Sequence, residues 1–224
     1  MVRLRTFVWL AIFVVLAMCA PFVPLAQAGK KPGYYKKPGT AQLPEFAVVT
    51  PAEKCSSWGW AAATESILAL DSVNVDQHVL VQKAFGGELC DDGAPNLRKL
   101  GEAVNGEYVL SPKKKMRVVA RVFLAGTTIG AEDLIAAVRR GRPMIFFWRM
   151  HAYIAVGVAY DEYIGANGAR LWEVRELTLL DPTADDAEHR FVTFQKGRDD
   201  LNEINGAMEF VLIPMEEIDW VQNP

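Results

Sequence analysis

Histidine and cysteine, which carry most thiol, metal and proton-transfer chemistry, are scarce here: three of each occur in 224 residues. That excludes a dense disulfide scaffold and leaves few ligands for a metal cluster. Basic residues are not in excess either. Lysine and arginine number 24 against 27 acidic residues, a net charge of −3, so the basic footprint of a nucleic-acid binder is missing. Only one long apolar run exists, at the N-terminus, and nothing after it is long enough to span a bilayer. Repeats and low-complexity blocks are also lacking. What remains has the make-up of a single globular domain of ordinary size.

The N-terminal run has the parts of a secretory signal peptide. Arg3 and Arg5 precede "FVWLAIFVVLAMCAPFVPLA", and "AQA" (26–28) supplies small residues for cleavage. Residues 1–28 are therefore expected to be removed after Ala28, which sends the protein to a secreted or periplasmic location. Retention of the run as an anchor is the alternative. Cleavage would leave 22 basic and 27 acidic residues, a net charge of −5, in a chain with no membrane segment. It would also remove Cys19 and leave Cys55 and Cys90, which in an oxidising compartment most simply form one disulfide.

Residues 29–46 hold "KKPG" twice, at Lys30 and Lys36, with Tyr34 and Tyr35 between. Lysine, proline and glycine disfavour regular structure, and the segment reads as a flexible, extended basic arm. Residues 47–224 form the domain. "SSWGWAAATESILAL" predicts a helix with Ser56 or Ser57 as its N-cap. Helices are also predicted in "VDQHVLVQKAFGG", "PNLRKLGEAVNG" and "GAEDLIAAVRRG", two of them stopped by glycine. "MRVVARVFLA", "RPMIFFWRM", "HAYIAVGVAYDE", "LWEVRELTLLD", "RFVTFQK" and "AMEFVLIPM" read as strands, with "YIGANGAR" as a hairpin loop. Helices first and strands later predict an α+β fold, a helical half packed on an antiparallel sheet.

A cysteine nucleophile acts as a thiolate. It is favoured at a helix start beside an imidazole, which is oriented in turn by a carboxylate or amide. The motifs here follow that order. "CSSWGWAAA" opens a helix, "HAYIAVGVAYDE" follows "DLIAAVRRGRPMIFFW", and "LTLLDPTA" ends a later strand. From about Thr50 to Phe194 this series resembles the papain-like cysteine peptidases, specifically the bacterial secreted branch related to bacteriocin-processing peptidases. That branch opens on Trp-Cys-Trp-Ala-Ala, and Trp58-Gly59-Trp60-Ala61-Ala62 matches it with glycine in place of the cysteine. "NVDQHVLVQKAFGG" is similar to the family's second helix.

The resemblance implies a papain-like fold. It places His151 at the general base and Asp181 at the residue that orients it. Gly59 falls on the nucleophile position and Glu53 on that of the oxyanion-stabilising glutamine, so both are degenerate. An anion at Glu53 would repel a developing oxyanion. Cys55 lies four residues ahead of the nucleophile position, and Ser57 lacks a supported base. Trp58 and Trp60 are read as core and cleft-wall packing.

Blander readings accompany each residue. His151 could be a core histidine, Asp181 before Pro182 a strand-end turn, and His78 a helix-surface residue. His189 sits in "TADDAEHR" among Asp185, Asp186 and Glu188, but without metal-ligand spacing, so a solvated loop is expected. No metal or cofactor is implied. The expectation is an exported pseudopeptidase that keeps a cleft for a peptide or protein ligand and binds neither nucleic acid nor membrane. Two alternatives stay open. One is an active peptidase using Cys55 with His151 and Asp181. The other is a surface-interaction protein acting through the 29–46 arm.

Overall fold

The computed structural model describes residues 33–44, 55, 57–87, 90, 96–125, 129–184 and 190–216. Glu53 and His189 fall outside them. The chain is mixed α and β. Strand β1 (Tyr34–Gln42) precedes three helices, α1 (Gly59–Leu70), α2 (Gln77–Phe85) and α3 (Leu97–Val104). Strands β2 (Gly106–Ser111) and β3 (Lys114–Leu124) come before α4 (Ala131–Arg139). Then follow β4 (Met144–Trp148), β5 (His151–Gly165), β6 (Arg170–Leu180), β7 (Phe191–Gln195) and β8 (Ile204–Glu216). All eight strands join one antiparallel sheet in the order β2-β3-β8-β4-β5-β6-β7, with β1 on β5. None of the described helices is long and apolar enough to cross a membrane.

The helices begin and end where their sequences allow. The Asp76 carboxylate caps α2 by accepting from the His78 amide at 2.8 Å, and Gly86 closes it in the left-handed region at φ 77°. Asn96 caps α3 in the same way, through Arg98 N at 3.0 Å. Helix α4 carries Glu132 and Asp133 in its first turn and Arg139 in its last, opposing its macrodipole. Helix α1 differs. Its N-cap is Trp58, which makes no side-chain cap bond. Of the two serines expected as the cap, Ser56 lies outside the described residues and Ser57 is one residue before the N-cap, its Oγ donating to the Cys90 carbonyl at 2.7 Å. Alanines 61–63 are fully buried, as are most other residues of α1. Its buried hydroxyls bond back into the helix, Thr64 to Trp60 O and Ser66 to Ala62 O.

Strand β5 is the spine of the sheet. Its residues 151–155 pair with β4 and residues 157–165 with β1, while β6 spans 154–164. Since β6 overlaps both, it must hold one edge, and β4 and β1 share the other in series. Helices α1 and α4 both pack on β5, and α3 packs on β3.

The arm reading of residues 29–46 fails for residues 34–42. They are extended, as expected, but bound into the sheet rather than mobile. Two contacts explain this. Lys36 Nζ lies 2.8 Å from the Asp161 carboxylate, whose side chain is 6% exposed, and Arg175 Nε lies 3.2 Å from its other oxygen. Gly39 crosses the Tyr160 ring so closely that a Cβ there would sit 2.5 Å from it. Tyr160 is buried and hydrogen-bonded by the Arg139 guanidinium, so it cannot swing aside freely. The "KKPG" at 36–39 is thus a docking sequence. Gly39→Ala should cost about 1–3 kcal/mol by overpacking, measured by urea unfolding against the exposed control Lys37→Ala. An unchanged midpoint would mean that β1 is not seated on Tyr160.

Candidate functional site

His151 opens β5 directly after a two-residue hairpin loop, Arg149-Met150, across which Trp148 pairs with His151. Both loop residues hold left-handed backbone, φ 53° and 63°. A two-residue turn of this twist needs positive φ, for which glycine or asparagine is the usual choice. The local cost is opposed by bonds from Glu203, just before β8, and from Asn205 at its start. Glu203 takes the Arg149 amide on its carbonyl at 3.0 Å and the guanidinium on its carboxylate at 2.8 Å. Asn205 Oδ1 accepts the Met150 amide at 2.9 Å. The start of β5, and with it His151, is held from outside its own hairpin.

Asp181 ends β6 and is brought to His151 by the β5–β6 register, in which Ile154 pairs with Leu180. His151 Nε2 lies 2.9 Å from Asp181 Oδ1. The same oxygen accepts from Thr183 N at 2.8 Å and from Thr183 Oγ1 at 2.7 Å. Thr183 Oγ1 also approaches His151 Nε2 at 3.4 Å. Asp181 therefore serves as both the strand-end turn and the histidine partner, so the two readings of it were not exclusive. Burial raises its carboxyl pKa, but the hydrogen bonds from His151 and Thr183 outweigh burial and hold it below the ordinary 3.8.

With a carboxylate as acceptor, Nε2 must carry the ring proton. The lone pair of the neutral ring is then on Nδ1, which has no hydrogen-bond partner among the described residues. The His151 side chain is 35% exposed. One edge of the ring is thus tied back and the other is available to take a proton or a hydrogen bond. Tyr153 packs against the imidazole, ring centroids 4.6 Å apart and planes at 61°. Burial, and then the nearby Asp181 charge, raise the Tyr153 phenol above its ordinary value, while Arg149 pulls it down less strongly.

Gly59 is the buried first residue of α1, the helix that packs on β5. Trp58 and Trp60 flank it but are 2% and 3% exposed. Trp58 meets His78 of α2 edge-on at 4.8 Å, and Trp60 meets Phe85 at 6.4 Å. They are core residues joining α1 to α2 and form no exposed cleft wall. His78 is correspondingly part of this packing and not a plain surface residue. Cys55 and Cys90 form the expected disulfide, 35 residues apart in sequence. The disulfide and the Ser57 bond to Cys90 fix the approach to α1. Cys55 thus holds no free thiol, and the Ser57 hydroxyl proton is engaged by the Cys90 carbonyl.

Thr183 and Tyr153 were not picked out from the sequence. The spacing Asp181-Pro182-Thr183 carries a signal for the first, since Asp followed two residues on by Thr favours a side-chain turn. For Tyr153 there is only period-2 alternation from His151. No cluster of three or more metal-ligating side chains occurs among the described residues. No family model, curated protein or solved structure matches the chain.

The depressed Asp181 value links the site to pH. Its folded value lies below its unfolded one, so its contribution to stability is complete above about pH 4 and is lost as pH falls through the folded value. Asp181→Asn should lower stability at pH 6 and flatten the decline below pH 4, as followed by urea unfolding across pH 2.5–6. Parallel wild-type and mutant curves would mean that Asp181 is not held charged by His151 and Thr183.

Proposed function

We propose that the protein is an exported relative of the papain-like cysteine peptidases, catalytically silent at its nucleophile position, which uses the remaining site to bind a peptide or protein ligand. The observation that carries this reading is the His151–Asp181 pair, closed on its Nε2 side and open on Nδ1, together with a helix start at Gly59 that has no side chain to activate. Histidine and carboxylate stand in the order the resemblance requires, and α1 packs on the strand that His151 opens.

The competing catalytic reading needs a reduced Cys55. Its bond to Cys90 opposes that, and the disulfide fits an oxidising, extracytoplasmic compartment. The arm reading loses support because residues 34–42 are occupied in the sheet. Peptide binding rather than cleavage follows from the chemistry. Without a thiol at 59, His151 has no nucleophile to deprotonate, and Glu53, at the position of the oxyanion donor, opposes the negative charge of an acyl-transfer intermediate.

The unmodified protein should hydrolyse no fluorogenic peptide above background. Gly59→Cys alone should give weak turnover. Gly59→Cys with Glu53→Gln should give more, because the two changes act on one transition state, and His151→Ala should abolish both. Robust hydrolysis by the unmodified protein that disappears in Cys55→Ala would overturn the proposal.

A further inference from the structure

Among the described residues three strands of the sheet have an open edge, and two of them are guarded. Strand β1 carries Lys36, Lys37 and Pro38 along its length, and β7 has only 5 residues. Lysine, proline and shortness are the usual defences of an edge against added strands. Strand β2 has neither lysine nor proline in "GEYVLS". It pairs with β3 on one side only, and its other backbone edge has no partner among the described residues. Its side chains alternate, with Glu107, Val109 and Ser111 exposed, Val109 to 70%. The one irregularity of the ladder, between Val109 and Ser111, lies at the end of β2 that leads into the turn to β3.

Close to this strand, Lys113 stands in the β2–β3 turn and Lys114 and Lys115 open β3, all three exposed. None of the three makes an ion pair among the described residues. Nearby, Glu107 is engaged by Arg117 at 2.7 Å and Glu209 by Arg121 at 2.9 Å, while Glu216 of β8 stands across from Lys114 in the register. Lys115 lies directly across from Val109 in the register. A lysine-rich turn, with Glu216 as the one acidic residue across from it in the register, thus adjoins a strand edge that is unpaired among the described residues, on a chain whose net charge is −3.

We propose that β2 docks an extended acidic segment of a partner protein by strand addition. Main-chain hydrogen bonds to the free β2 edge would supply pairing, Val109 an apolar neighbour, and Lys113–Lys115 the charge selection. In sheet order β2 is four strands from β5, roughly 20 Å at ordinary strand spacing. The site is therefore separate from His151 and does not depend on the peptidase reading.

The test uses the full chain with two labelled peptides, Glu-Val-Glu-Thr-Glu-Val-Glu and its Lys-for-Glu counterpart, followed by fluorescence anisotropy and hydrogen exchange. The acidic peptide should bind, protect amides of residues 106–111, and weaken as salt is raised. Lys113→Glu/Lys114→Glu/Lys115→Glu, all exposed, should weaken it by about tenfold or more, as expected for three surface pairs, and should gain affinity for the basic peptide. His151→Ala should leave this binding unchanged. No binding, equal binding to the charge-reversed variant, protection confined to other strands, or self-association through β2 in sedimentation would each overturn the proposal.

Discussion

The candidate site depends on the pairing of β5 along both of its edges. Hydrogen bonds to β4 fix His151 at its start, and hydrogen bonds to β6 bring Asp181 within 2.9 Å of that imidazole. Pairing with β1 completes the edge beyond β4. A one-residue slip of β6 would turn Asp181 to the opposite face of the sheet and dissolve the pair, since strand side chains alternate with period two. The buried β4 and β5 side chains, among them Ile145, Ile154 and Ala155 at 0% exposure, oppose such a slip.

Within that frame the histidine is over-determined and position 59 is bare. Asp181 receives three hydrogen bonds on one oxygen, and the turn before His151 holds two non-glycine residues at positive φ with help from Glu203 and Asn205. Strained backbone that persists only through external bonds concentrates at functional sites. The opposite holds at Gly59, which brings no functional group, while the nearby Cys55 and Ser57 are committed to structural bonds. On the proposed reading, such a site orients its histidine for holding a ligand and not for cleavage.

Much of this was legible in the sequence because it rests on local signals. Alanine, glycine stops and acidic first turns marked the four helices. Runs of β-branched and aromatic residues marked six of the eight strands, and the Cys55–Cys90 pairing was expected from cysteine count and the expectation of export. The two strands that were missed show what local signals leave out. Strand β1 is polar and contains proline and glycine, and it is a strand only because Asp161, Arg175 and Tyr160, far along the chain, receive it. Strand β2 is short and follows directly on the predicted helix segment, sharing only Gly106 with it, in a stretch assigned to no element. The burial of Trp58 and Trp60 was likewise invisible, because the sequence does not say that α2 covers them. Likewise, nothing in "CSSWGW" announces that its second serine bonds to a carbonyl 33 residues away.

The central claim is that His151 serves the position held by Gly59. A cysteine placed there reports on it directly, through the rate of alkylation by iodoacetamide as a function of pH. If the imidazole faces position 59, the Gly59→Cys thiol should react as a thiolate well below the ordinary thiol range near pH 8.5, and His151→Ala should return the profile to that range. A profile near pH 8.5 that ignores His151 would contradict the account.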